Sequence, residues 1–94
     1  MYTNMYNPAS PGELLKEFLG RRSIQELANH IGVTRATISR IIHGHNAVTV
    51  DLSIRLGEAL ELSPDFFSKA QLQHDLWLES KKKRKKIRPF SRAA

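Results

Sequence analysis

Ile24-Gln-Glu-Leu-Ala-Asn-His-Ile-Gly-Val-Thr-Arg-Ala-Thr-Ile-Ser-Arg-Ile-Ile-His-Gly44 decides the fold of this chain. Ser23 and Glu26 stand in the spacing of a capping box, where hydroxyl and carboxylate each take an orphan amide of the first turn, so a helix is expected from Ile24. Leu27, Ala28 and Ile31 recur at helical steps and predict a buried face, with Ala28 small enough to admit a second helix closely. Gly32 offers positive φ without a Cβ clash, which stops the first helix. Thr34 restarts the chain as an N-cap, and Ile38, Ile41 and Ile42 give the second helix its buried side. The stretch therefore predicts a motif of two short helices over 24–43, the second spanning 35–43.

The outer face of that second helix is the functional expectation. A turn of roughly 100° per residue sets Ala36, Ser39, Arg40 and His43 opposite the isoleucines, with Arg35 and Thr37 in the first turn. This face carries small and hydrogen-bonding side chains, two arginines and no acid, which suits a groove lined by phosphates and base edges.

Composition sets the limits. Ninety-four residues, 40% of them hydrophobic, allow one small domain that gains from oligomerisation. With no cysteine there are no disulfides, thiolate metal sites or thiol nucleophiles. No run has the length of a membrane span and the first residues lack a secretory pattern, so a cytoplasmic protein is expected. The formal charge of +6 is unevenly placed: residues 1–78 hold 7 Lys or Arg against 8 Asp or Glu, whereas residues 79–94 hold 8 against one. A nearly neutral domain must bind DNA through particular arginines and helix amino termini rather than a general field.

Outward from the motif, residues 1–9 show no period and are expected to form a flexible arm. This arm has no arginine for a minor groove, although Tyr2, Met5 and Tyr6 could pack on a partner. Ser10-Pro11-Gly12-Glu13 is a second capping box, opening a helix with Leu14, Leu15, Phe18 and Leu19 on one side and ending at Gly20. Arg21 and Arg22 follow, either near the phosphate backbone or simply solvated. After the turn at Gly44, Thr49 caps a fourth helix whose Leu52, Leu56, Ala59 and Leu60 close the core, with Ile54 on its flank. Ser63-Pro64-Asp65 repeats the cap-then-proline start and predicts a fifth helix to about Glu79. Its expected docking stripe is Phe66, Ala70, His74 and Trp77, with Phe67 and Leu78 at the edge. Leu72 and Leu76 fall on the opposite side, which predicts a homodimer interface there unless they merely flank the same core. Residues 80–94 are a self-repelling basic tail, expected to be disordered and able to attract DNA or an acidic protein partner.

Several landmarks together resemble the HigA family of antitoxins from bacterial toxin-antitoxin pairs. They are Pro11-Gly12-Glu13-Leu14-Leu15, Leu27-Ala28, Ile31-Gly32-Val33, Ser39-Arg40-Ile41-Ile42-His43-Gly44 and Val48-Thr49-Val50-Asp51. The series closes with Arg55-Leu56, Ala59-Leu60, Ser63-Pro64-Asp65-Phe66-Phe67 and His74-Asp75-Leu76-Trp77, all in order across residues 8–78. The resemblance implies an all-α, five-helix, lambda-repressor-like domain over 10–79, working as a dimer in a bacterial cytoplasm. It also implies repression of its own operon through double-stranded operator DNA and neutralisation of a HigB-type ribonuclease toxin. By position it makes Arg35, Ala36, Thr37, Ser39 and Arg40 the base-reading residues, with Gln25, Thr34 and Asn46 on the DNA backbone. For Asn46, left-handed turn geometry is the competing explanation. A basic tail is less typical of the family.

Two other readings compete. A stand-alone transcriptional repressor would present the same DNA-reading surface without a toxin. An enzyme is disfavoured: His43 and His45 straddle the expected helix end without a third ligand, and no nucleophile or acid pair is set up. No cofactor, metal or small-molecule substrate is expected.

Overall fold

A computed structural model of the chain describes residues 7–91. Five helices follow one another: α1 (Pro11–Leu19), α2 (Ile24–Ile31), α3 (Arg35–Ile42), α4 (Val50–Leu60) and α5 (Phe66–Ser80). No strand occurs among the described residues. Of the expected arm, residues 1–6, with Tyr2, Met5 and Tyr6, lie outside the described residues, and 7–9 have no regular structure.

Four helices start on their own side chains. The Ser10 amide donates to Glu13 Oε1 at 2.8 Å while the Glu13 amide donates to Ser10 Oγ at 3.2 Å. Ser23 and Glu26 repeat the exchange at 3.0 Å each way. Thr34 Oγ1 accepts from the Thr37 amide, and Thr49 Oγ1 from the Leu52 amide, both at 3.2 Å. The amide hydrogen bond from Ser10 holds the Glu13 carboxyl below its ordinary pKa, since the donor favours the charged form.

The helix α5 starts differently from the sequence expectation. Ser63 and Pro64 form a turn, the Phe66 amide donating to Ser63 O at 3.1 Å, and the helix begins at Phe66. Asp65 is the N-cap, but its side chain makes no capping bond. Its carboxylate is held instead by the Ser63 hydroxyl and by Lys69, which lower its pKa. The missing cap comes from α4: buried Ser53 donates its hydroxyl to Pro64 O at 2.7 Å and accepts the Ser68 amide at 3.0 Å. One hydroxyl thereby fixes both the turn and the first turn of α5.

The core is built from Leu15 and Leu19 of α1, Leu27 and Ala28 of α2, Ile38 and Ile41 of α3, Val48, Leu52 and Leu56 around α4, and Phe67 of α5. Each such large side chain contributes about 1.5–3 kcal/mol on burial. Phe67, expected at an edge, is fully buried, whereas Phe66, Ala70, His74 and Trp77 are only half-buried. Phe67 faces inward, where it meets Phe66 and Phe18 edge-on, with centroids 5.2 and 6.2 Å apart. Phe18 remains 40% exposed and covers this cluster from outside.

Candidate nucleic-acid interface

The geometry of α2 and α3 follows from one turn. Gly32 takes the left-handed conformation, φ 78°, and its amide donates to Ala28 O at 2.9 Å, closing α2. Val33 and Thr34 then lead directly into α3. Beneath the turn, Ala28 is fully buried and Ile38 is also inaccessible, so the two helices meet through a small and a branched residue.

Three contacts from elsewhere in the chain hold α3 in place. Gly12 in α1 comes so near the carbonyl end of α3 that an added Cβ would fall 2.3 Å from Ile41 O and 2.7 Å from Ile42 O. From α4, Arg55 donates through one guanidinium nitrogen to Ile31 O at 2.8 Å and Gly32 O at 3.4 Å, and through Nε to Asp51 at 3.1 Å. It thus satisfies carbonyls that the end of α2 leaves without helical partners. From α5, Gln71 Oε1 accepts the Val48 amide at 2.9 Å and ties down the loop after α3. None of these roles was expected from the sequence. The only local sign was the four-residue spacing of Asp51 and Arg55, which says nothing of a carbonyl 24 positions away.

On the outer side of α3, Arg35, Ala36 and Arg40 are exposed, as is His43 at the helix end. Thr37 and Ser39 are half-buried on its flanks. The Thr37 hydroxyl is hydrogen-bonded to that of Thr34 at 2.9 Å, so these two side chains act as one unit at the start of the helix. Ser39 Oγ lies 3.4 Å from His43 Nδ1, and the same nitrogen is 2.8 Å from Ser39 O. A carbonyl only accepts, so it is the His43 Nδ1–H that donates to Ser39 O, which folds the ring back over the last turn of α3. The His45 ring lies beside that of His43, centroids 6.5 Å apart. Among the described residues there is no group of three His, Cys, Asp or Glu able to hold a metal ion.

The expected backbone-contacting residues lie at the ends of these elements. Gln25 is exposed in the first turn of α2 and donates to Asn29 Oδ1 at 2.8 Å. Thr34 is exposed at the start of α3. Asn46 is exposed in the following loop, its amide 3.3 Å from Arg40 O. It is not left-handed: Gly44, at φ 77°, takes that conformation, which frees Asn46 from the turn role considered for it. On α5, Leu72 is 58% exposed and Leu76 half-buried.

A recognition-type helix set across a small residue from its predecessor, with an open acid-free face, defines a helix-turn-helix domain. The family model described as Helix-turn-helix matches residues 13–67. Antitoxin HigA-1 of Vibrio cholerae is 41% identical over 73 residues, covering 74% of this chain and 69% of that protein. A HigA-family addiction module antidote protein from Coxiella burnetii superposes with a TM-score of 0.74 at 29% identity, over 78% of this chain and 83% of that one. The Pseudomonas aeruginosa antitoxin HigA, solved with the higBA promoter, gives 0.72 at 31% identity, over 77% and 82%. The chain belongs to the helix-turn-helix family and, within it, to the HigA antitoxins.

Proposed function

We propose that this chain is a non-enzymatic antitoxin of a bacterial cytoplasm that, as a homodimer, represses its own operon and neutralises a HigB-type ribonuclease. The observation that carries the DNA-binding part is the outer face of α3, open, acid-free and braced from α1, α4 and α5. Arg35 and Arg40 are suited to bidentate bonds with guanine O6 and N7, and Ala36 to a thymine methyl group. Thr37 and Ser39 offer hydroxyls at the rim of the same face. Gln25, Thr34 and Asn46 stand where they would touch phosphates and fix the register.

Paired half-sites about 34 Å apart call for two copies of this face. Leu72 and Leu76 supply an apolar strip on α5 that a second copy would cover. The toxin partner rests on kinship with antitoxins, since the DNA-reading face of a stand-alone repressor would look the same.

Co-expression with the genes beside it tests the whole reading. The expected result is a stable complex with a small neighbouring protein that is toxic when expressed alone, together with binding to DNA upstream of the gene. Upstream DNA bound with no neighbour captured would leave a stand-alone repressor. No preference for upstream DNA would overturn the reading itself.

A further inference from the structure

The basic end of the chain divides into two groups of cations. Lys81 Nζ sits 4.2 Å over the Trp77 ring, while Lys82 and Arg84 reach the Glu79 carboxylate at 3.2 and 2.9 Å. These three contacts hold the root of the tail to α5. Beyond them, Lys83, Lys85, Lys86 and Arg88 are exposed and make no hydrogen bond, ion pair or ring contact among the described residues. Residues 83–90 have no regular structure.

The root emerges near the loop that follows α3. A groove of about 230 Å³ is lined on one side by Gly44, His45 and Asn46, from the loop after α3, and on the other by His74 and Leu78 of α5. Lys81 lies one helical turn past Leu78, an advance of only about 5 Å. Eight residues from Lys81 to Arg88, when extended, span about 25 Å, the rise of roughly seven base pairs. The molecule measures 56 × 27 × 19 Å, a long axis that fits a chain end standing off the body.

We propose that Lys83, Lys85, Lys86 and Arg88 form a second DNA contact, gripping phosphates of the duplex that flanks each half-site irrespective of its sequence. This inference rests on α3 being the reading helix, and it assigns most of the salt dependence of binding to the tail. Like charges that repel keep the segment extended, which matches a line of phosphates better than the compact acidic patch of a folded protein. The domain, with 7 basic residues against 8 acidic over residues 1–78, has little net field to contribute.

The test is a full-length variant carrying K83Q, K85Q, K86Q and R88Q, measured between 50 and 200 mM salt. Three duplexes are needed: the upstream operator with flanks, a scrambled sequence of equal length, and the operator trimmed of its flanks. On both long duplexes the slope of log K against log salt should become shallower by about 3–4 per chain, from about 0.9 per phosphate contact. The affinity change across that salt range then shrinks by about a hundredfold per chain, while the ratio of operator to scrambled affinity stays the same. On the trimmed duplex the variant and the native chain should converge. Glu79→Gln, which releases Lys82 and Arg84, should steepen the slope.

Unchanged slopes on both long duplexes would overturn the proposal. So would loss, at unchanged slopes, of either the neighbouring gene product or binding to phosphatidylglycerol vesicles, which would give the tail an acidic protein or a membrane surface instead. A tail-dependent slope on scrambled DNA without operator preference would instead count against the reading of α3 and leave this contact standing.

Discussion

The α2–α3 pair and helix α5 are held to the same core by different means. Each helix of the pair starts on a side chain three residues from the amide it caps, and their junction closes on Gly32. Contacts from α1 and α4 reinforce an arrangement already specified locally. In α5, a single fully buried ring and a hydroxyl borrowed from α4 take the place of a local cap. The difference suits two tasks. A reading helix must keep its side chains in fixed register with bases, whereas α5 has to join the body to a tail and, in our proposal, to a second copy.

Removing the ring should have the largest effect. Phe67→Ala is expected to cost about 3–5 kcal/mol, most of the stability of a domain this small, and to be seen as a large drop in the urea midpoint. If α5 is held mainly by one buried ring and by hydrogen bonds through Ser53 and Gln71, its amides should exchange well before those of α2 and α3 in the native protein. Uniform exchange would erase the contrast.

Ser53→Ala comes next. It leaves the Pro64 carbonyl and the Ser68 amide without their partner, a loss of about 1–3 kcal/mol, and should loosen α5 while sparing α3. Thermal unfolding combined with amide exchange separates these effects.

A smaller loss, about 1 kcal/mol, is expected for Arg55→Ala, because its side chain is 40% exposed and its bond to Asp51 contributes little. Operator affinity should nevertheless fall, since the turn that aims α3 loses its brace, and Arg55→Lys should not restore it because an ammonium lacks the guanidinium fork. Full rescue by lysine would show that charge alone matters there. The smallest change carries the opposite sign. Glu61 ends α4 in the left-handed region at φ 59°, where glycine is free of the Cβ clash, so Glu61→Gly should raise stability by up to about 1 kcal/mol.

What could be read from the sequence divides along the same line. The caps at Ser10, Ser23, Thr34 and Thr49 and the turn at Gly32 were legible because each is decided within a few residues. So was the outer face of α3, which follows from three isoleucines and a helical period. The start of α5 was misplaced because Ser63-Pro64-Asp65 has the local form of a cap, and only the distant Ser53 hydroxyl converts it into a turn. Phe67, which the apolar spacing set at the edge of the stripe, is the fully buried residue of α5, because the packing of Phe18 and Phe66 around it is not recorded in the period of one helix. The close approach of Gly12 to Ile41, the reach of Arg55 to Ile31 and the bond from Val48 to Gln71 each join residues more than 20 positions apart. No periodicity in one chain records such pairs.

The account stands or falls on the exposed side of α3. Its most direct test is the affinity of Arg40→Ala for DNA upstream of its own gene, measured beside its melting temperature. We expect operator binding to weaken by about 1–3 kcal/mol, roughly 5- to 150-fold, with melting unchanged, because this exposed side chain supports nothing in the core. Native affinity in the variant would contradict the assignment and move DNA recognition to another surface.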